Sequence, residues 1–545
     1  MDTRCFAGSR FAPTPLRKAM SRWVWAAGLI LATLATIAQA ESFELPPLGD
    51  AFAPDAVRAA LFQRVSFVGN TVIASAELDA IAIPYLGRPI SDSEIEALRQ
   101  ELTQHYIKQG FINSGVLLHP EGTLGGALGF RVIEGRIGNI HIRGLERLAP
   151  EYLTRRVAHH NEVFNLNTLQ ERMQLLLTDP VVGRLNARVV PGGERGLADL
   201  QLDVAEARRY QLTAFTSNHQ PPSTGRMLAG IQGELRNLTG WGDAVSLTVQ
   251  GSNGQEAYSL AWQMPLTAHG TAVNLASYRS NASVMEEPLD RLDIRSRSEG
   301  WELGLGHALI QSMTQRLTLG LAYTGRTSST TLGGIPFAFS AGAADGRNQV
   351  SEWRFHQEYL LRHERASTAL RSTFVGGENN ADLSSAIDSQ PRRRYLTWVG
   401  QAQASLATSA RGQVLLRGSA QWSDGALVPM GQYALGGAAT VRGYRENQLV
   451  RDRGWNGSLE YRHTVMTNAE TDLRLTLFPF VDYGEAWNAG QRPDALSSVG
   501  AGIALHYRGL EAELALAHRI AKPAVTTSGA LQDSGVHFLI RYRFF

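Results

Sequence analysis

From Arg208 to the C-terminus the chain runs in segments of about ten residues whose side chains alternate between apolar and polar. Val245, Leu247 and Val249 interleave with Ser246, Thr248 and Gln250; Leu473, Leu475 and Leu477 interleave with Arg474 and Thr476. A period of two sends one set to each face of a strand. One face suits hydrocarbon and the other water, which is the pattern of a transmembrane β-barrel. Marking every such segment between turn signals predicts sixteen strands, beginning near residues 208, 225, 243, 255, 271, 297, 315, 348, 364, 392, 412, 452, 471, 495, 510 and 534. The number is even, as a closed antiparallel barrel of this kind requires.

The connections give an independent reading. If the first strand rises from the periplasm, inward turns should be short and outward connections long. The inward turns include 238–242, 312–314, 467–470 and 508–509, and the outward connections include 284–296, 328–347, 376–391 and 424–451. A soluble β-sandwich predicts no such asymmetry.

Ahead of the barrel, residues 62–134 and 135–207 read as two copies of one module. Val65, Phe67 and Gly69 open the first and Ile140, Ile142 and Gly144 the second, each followed nine residues later by a leucine, Leu78 or Leu153. Leu128, Phe130, Val132 and Glu134 end the first copy as Leu200, Leu202, Val204 and Glu206 end the second. Between them, Ser91 with Glu94 makes a capping box before Ile95, Leu98, Leu102 and Tyr106 on one helical face. In the second copy Asn167 with Gln170 precedes Met173 and Leu176. Each copy is therefore expected to run β-α-α-β-β.

The N-terminus has the form of an export signal. Arg17, Lys18 and Arg22 precede an apolar run from Val24 to Ile37, which ends in the small-residue site Ala38-Gln39-Ala40. The run is shorter than the roughly 20 apolar residues a spanning helix needs. Residues 1–40 are read as a signal peptide, with Met1 or Met20 as the start, and 41–61 as a short linker.

Composition refines this picture. The single cysteine, Cys5, lies in the leader, so the mature chain carries neither disulfide nor thiol chemistry. With the leader removed, 47 basic residues face 49 acidic ones, which leaves no cationic footprint for nucleic acid. Nearly all the cations are arginines, suited to fixed ion pairs with carboxylates. No G-x-S-x-G or H-E-x-x-H occurs, and none of Lys18, Lys108 and Lys522 follows a glycine as a phosphate-loop lysine would. No enzyme, nucleotide, metal or other cofactor is expected.

Two motifs separate a transporter from a passive pore. Val441-Arg442-Gly443-Tyr444 lies in the longest outward connection, and Phe480-Val481-Asp482-Tyr483-Gly484 lies two strands later. These resemble the VRGY loop motif and the F-x-D-x-G strand motif of two-partner secretion transporters. The five strands that follow the loop also fit that family. The resemblance implies that the loop folds into the lumen, where Arg442 meets Asp482 on the wall. Alternation places Phe480, Asp482 and Gly484 on one face. The module at the N-terminus resembles the polypeptide-transport-associated (POTRA) domain, which implies a sheet edge and helix groove for an unfolded client. The ending Tyr542, Phe544, Phe545 resembles the insertion signal of outer-membrane barrels, which implies contact with the barrel-assembly machinery; Phe545 stands one residue out of register.

The expected fold is thus two α+β POTRA domains followed by a 16-stranded antiparallel transmembrane β-barrel at 208–545. The expected function is export of a large secreted exoprotein, of adhesin or cytolysin type, from the periplasm across the outer membrane. An outer-membrane assembly or insertion factor and a passive porin or receptor are the alternatives. Relatives often carry a helix that plugs the pore. Residues 41–61 would span about 30 Å as a helix and leave no linker, so no plug is expected and the folded-in loop is the main obstruction.

Overall fold

The computed structural model describes residues 60–120, 123, 126–194, 196–339, 343, 345–380, 391–521 and 529–545. The leader, nearly all of the linker and the segment in question for a plug helix lie outside the described residues.

The first unit consists of β1 (Arg64–Val68), α1 (Ser75–Ala82), α2 (Asp92–Lys108), β2 (Gly115–Leu118) and β3 (Ala127–Ile133). β3 is the middle strand and runs parallel to β1. Its alternate residues Leu128, Phe130 and Val132 are buried, as are Leu78, Leu98 and Leu102. The ring of Phe67 stacks on Phe130 at 5.9 Å. The capping box forms reciprocally: the Glu94 N–H donates to Ser91 Oγ (3.3 Å) and the Ser91 N–H to Glu94 Oε2 (2.8 Å).

The second unit has the same order, with β4 (Arg136–Arg143), α3 (Pro150–Val157), α4 (Leu166–Leu177), β5 (Val182–Pro191) and β6 (Leu197–Glu206). β6 is central, parallel to β4 and antiparallel to β5. Leu153, Val157, Phe164, Leu169, Leu176, Leu200 and Leu202 form its core. The start of α4 corrects the sequence reading. Asn165, not Asn167, is the cap, and its side chain accepts the N–H groups of Asn167 (2.9 Å) and Thr168 (3.2 Å). A cap must stand outside the helix and reach back to donors two and three residues on, and burial of Phe164 fixes the chain one residue ahead of it. Asn165→Ala should cost about 1 kcal/mol and speed amide exchange at Thr168 about fivefold. Unchanged exchange there would contradict this role.

Glu206 ends β6 and gathers three backbone donors, the N–H groups of Glu146 (2.9 Å), Arg147 (2.8 Å) and Leu148 (2.7 Å). Burial alone pushes this carboxyl up, but the three donors outweigh it and hold the group below the ordinary glutamate value. A depressed folded value contributes stability that is present above the unfolded value of about 4.3 and lost as pH falls through the folded one. Glu206→Gln is therefore expected to weaken the unit at pH 7 and to flatten its response between pH 5 and 3, read by thermal unfolding of the whole chain. An acid response as steep as that of the parent would sink the assignment.

The barrel begins with β7 (Tyr210–Ser217), β8 (Leu228–Arg236), β9 (Ala244–Gly251), β10 (Gln255–Pro265), β11 (Ala272–Ser283), β12 (Ile294–Gln311), β13 (Gln315–Leu332) and β14 (Arg347–Arg362). It continues with β15 (Ala366–Asn379), β16 (Arg394–Ala407), β17 (Gly412–Ser423), β18 (Arg453–Asn468), β19 (Leu473–Trp487), β20 (Asp494–Tyr507), β21 (Leu510–Arg519) and β22 (Val536–Arg543). β7 pairs antiparallel with both β8 and β22, so the sheet closes. All sixteen predicted starts fall within three residues of an observed one. Leu247, Val249, Leu260, Leu303, Phe355, Leu416 and Leu477 stand exposed on the outer wall, an apolar band that only a bilayer satisfies. The Phe545 ring meets that of Tyr210 edge-on at 5.2 Å, joining the two ends of the barrel.

Two readings of the connections change. The outward segments read from 328 and 376 onward begin as strand, with β13 continuing to Leu332 and β15 to Asn379. Strands need about 9–11 residues to cross, so the 18-residue β12 and β13 extend beyond the bilayer. There both faces are wet and alternation no longer marks them. The outward connection at 252–254 is short, an exception to the rule of long outer loops.

The inward turn between β8 and β9 seats the second unit. Gly242 has φ +78°, and a Cβ there would lie 2.6 Å from the Tyr152 ring, so only glycine admits the tyrosine. The Ala149 N–H donates to the Gly240 carbonyl (2.8 Å), and Asp243 accepts from the Thr239 hydroxyl (2.7 Å) and Trp262 Nε1 (3.1 Å).

Candidate functional site in the barrel lumen

Residues 424–452, between β17 and β18, fold into the barrel. A short antiparallel pair, Tyr433–Leu435 with Leu449–Arg451, gives the loop a stem, and the tip carries Val441 to Tyr444. The base is pinned first. Arg326 on β13 donates to the Met430 carbonyl (2.8 Å) and pairs with Glu352 on β14 (2.6 Å). Glu352 also accepts from the Tyr395 hydroxyl (2.5 Å) and from Arg354 (2.7 Å). Leu427 and Val428 pack with Val350, Val375 and Tyr395 on the same wall. Asp452 ties the two ends of the loop together, accepting from the Leu427 N–H (2.9 Å) and Gln432 Nε2 (3.0 Å).

At the tip the two predicted motifs meet. Arg442 spans the Asp482 carboxylate, with Nε 2.8 Å from Oδ2 and Nη2 2.8 Å from Oδ1, while its own N–H also donates to Oδ2 (3.0 Å). The planar fork matches both oxygens at once. Arg442 Cζ lies 3.4 Å over the Phe480 ring. Its other contacts lie on β18: Nη1 donates to Glu460 (2.7 Å) and Nη2 to Ser458 Oγ (3.0 Å). Glu460 is shared with Arg417 (3.1 Å) and with Arg462, which reaches on to Glu513 (3.1 Å). Three guanidinium groups thus face three carboxylates; Arg442, Asp482 and Glu460 are buried, Arg417, Arg462 and Glu513 partly exposed, and the pairing offsets the cost of taking the buried charges out of water.

The remaining motif residues shape the dock. Val441 and Tyr444 pack with Tyr433, Leu435, Ala486 and Leu496. The Tyr444 hydroxyl reaches the carbonyls of Ser497 (2.9 Å) and Ala521 (2.5 Å). Gly443 has φ +94° and turns the tip against Ala517. A Cβ at Gly484 would meet Leu435 at 2.7 Å, so the glycine leaves room for the stem. Phe480, Asp482 and Gly484 all face the lumen, as alternation predicts. By contrast, Tyr542 and Phe544 stand exposed with their rings 4.9 Å apart, and Phe545 contacts Tyr210 instead of continuing the row. Sequence reasoning missed Ser458 and Glu460. Both alternate with Leu459 on β18, a signal that marks an inward face but singles out no partner. Among the described residues no cluster of metal-binding side chains occurs.

A family model for the haemolysin secretion/activation protein ShlB/FhaC/HecB matches residues 196–507, and one for the ShlB-type POTRA domain matches residues 61–135. The chain is 22% identical over 485 residues to the outer membrane transporter CdiB of Dickeya dadantii, covering 85% of this chain and 83% of that one. It is 21% identical over 476 residues to the heme/hemopexin transporter protein HuxB of Haemophilus influenzae, covering 83% and 81%. The solved structure of CdiB from Escherichia coli superposes with a TM-score of 0.71 at 17% identity, over 92% of this chain and 93% of that one, which shows the shared fold. With the first model reaching over more than half of its length, the chain belongs to the ShlB/FhaC/HecB family, two-partner secretion transporters of the outer membrane.

Proposed function

We propose that this barrel exports one large exoprotein, which the two N-terminal modules receive in the periplasm and the lumen passes outward once the loop at 424–452 leaves its dock. The observation that carries this reading is the loop tip held across the lumen by Arg442, Asp482 and Glu460. A passive pore has no use for so specific a lock. Both modules are read as POTRA domains. In the first, β2 is an edge strand on which Leu117 and Leu118 stand exposed, and backbone pairing along such an edge grips a client without regard to its sequence. The names of two relatives, a hemolysin transporter and a heme/hemopexin transporter, support a large secreted protein as the client. Transport needs no catalytic step, and folding of the client outside supplies direction. Tyr542, Phe544 and Phe545 serve the barrel's own insertion as the contact for the assembly machinery, with the apolar outer wall then held by outer-membrane lipid.

The test is co-expression with a candidate large exoprotein and assay of that protein in the medium. Secretion that depends on the barrel supports export. If the intact barrel secretes nothing and its loss instead depletes other outer-membrane proteins, the assembly reading replaces this one.

A further inference from the structure

The loop tip is also held by partners that lie outside both motifs and on different strands. The Gly443 N–H donates to His537 Nε2 on β22 (2.9 Å), and His537 is buried. To accept there, the imidazole must be neutral with its proton on Nδ1. Two residues on, Arg445 takes the Asp533 carboxylate with both arms of its fork (2.5 and 2.8 Å) and pairs with Glu286 at 2.8 Å. The Glu446 N–H donates to Gln532 Oε1 (2.8 Å), and Gln532 Nε2 in turn holds the Gln220 carbonyl (2.8 Å). Gln532 and Asp533 lie in the connection between β21 and β22, next to His537.

Arg442 thus fastens the tip to β18 and β19, while Gly443, Arg445 and Glu446 fasten it to the last hairpin. The two sets share no side chain. We propose that this hairpin is a second latch for the pore loop, in which His537 and Asp533 are positioning residues that hold Gly443 and Arg445 in the docked state independently of Asp482. The inference rests on the reading that the loop must undock for export, and it adds that undocking requires release from two sets of strands, β18 with β19 and β21 with β22, which β20 separates. A client that displaced only Arg442 would leave the tip tethered by the hairpin.

A cysteine at position 486 tests this. Ala486 lies on the wall beneath Val441 and Tyr444 with no exposure, and the mature chain has no other cysteine. The rate at which a small maleimide labels Ala486→Cys in the full-length, membrane-embedded barrel therefore reports lifting of the tip. Adding Asp533→Asn or His537→Leu is expected to raise that rate about tenfold, because the first takes from Arg445 a carboxylate bound by both arms of its fork and the second strands the buried Gly443 N–H. His537→Gln, which keeps an acceptor, should return it to within about twofold of the parent. Combining Asp533→Asn with Arg442→Met should multiply the separate effects, as independent latches do. Labelling unchanged by both single variants in barrels that remain heat-modifiable overturns the proposal, as does His537→Gln behaving like His537→Leu. If His537→Leu does not assemble, Asp533→Asn decides alone. Client secretion is scored separately. Faster labelling with normal secretion leaves the latch standing and counts against the loop's role in export.

Discussion

Arg442→Ala is expected to abolish secretion of the partner exoprotein while the barrel still assembles and remains heat-modifiable. The guanidinium answers two carboxylates that water does not reach, Asp482 and Glu460. Its removal leaves both without their shared cation, a loss of about 3–5 kcal/mol for a buried pair broken on one side. Most of that falls on the docked loop, because Glu460 retains Arg417 and Arg462 on the wall. The sixteen-strand ladder is untouched. Held only by the contacts of Gly443, Arg445 and Glu446 with the last hairpin, the loop should leave its dock before a client arrives, uncoupling opening from export, and channel openings in planar bilayers should become longer and more frequent. Arg442→Lys should resemble alanine more than wild type, since a single ammonium cannot span both oxygens of Asp482 while reaching Ser458 and Glu460. Asp482→Asn keeps the shape and one acceptor and should fall between. If the alanine variant secretes normally with wild-type conductance, the ion pairs are architectural and the lock is not part of transport.

The second large effect is expected at the base of the loop. Glu352→Ala removes the acceptor shared by Arg326, Arg354 and the Tyr395 hydroxyl, leaving a nearly inaccessible arginine without its carboxylate. The cost is again about 3–5 kcal/mol, but here it falls on four neighbouring elements, β13, β14, β16 and the loop segment at Met430. The temperature at which the folded form is lost on heat-modifiability gels should drop by several degrees, with Glu352→Gln closer to the parent. A transition at the parental temperature would mean that Val350, Val375, Leu427 and Val428 hold the base by packing alone.

The barrel was legible because a membrane constrains every strand alike. Outward positions must be apolar and inward ones polar, so alternation locates a strand even where no residue is distinctive. Legibility ended where that constraint does, at the extensions of β12 and β13, which are wet on both sides. The Arg442 to Asp482 contact could be named because two motifs marked its ends. Glu460, Ser458, His537 and Asp533 could not, since a polar residue at an inward position is what every strand carries, and partners brought together from far along the chain share no local spacing. The cap of α4 lies two residues ahead of the one the sequence pattern suggests for a simpler reason: Asn165 and Asn167 both precede the same apolar face, and only burial of Phe164 distinguishes them.

The ring contact between Tyr210 and Phe545 joins the first barrel residue to the last of the chain. Until β22 exists, β7 and β21 each present a bare edge of N–H and C=O groups that lipid cannot satisfy, at a cost of several kcal/mol for every group. Closure is thus an all-or-none inspection of the translated product: a truncated polypeptide, however well its other strands pair, has nothing with which to seal the ring, and the membrane itself rejects it.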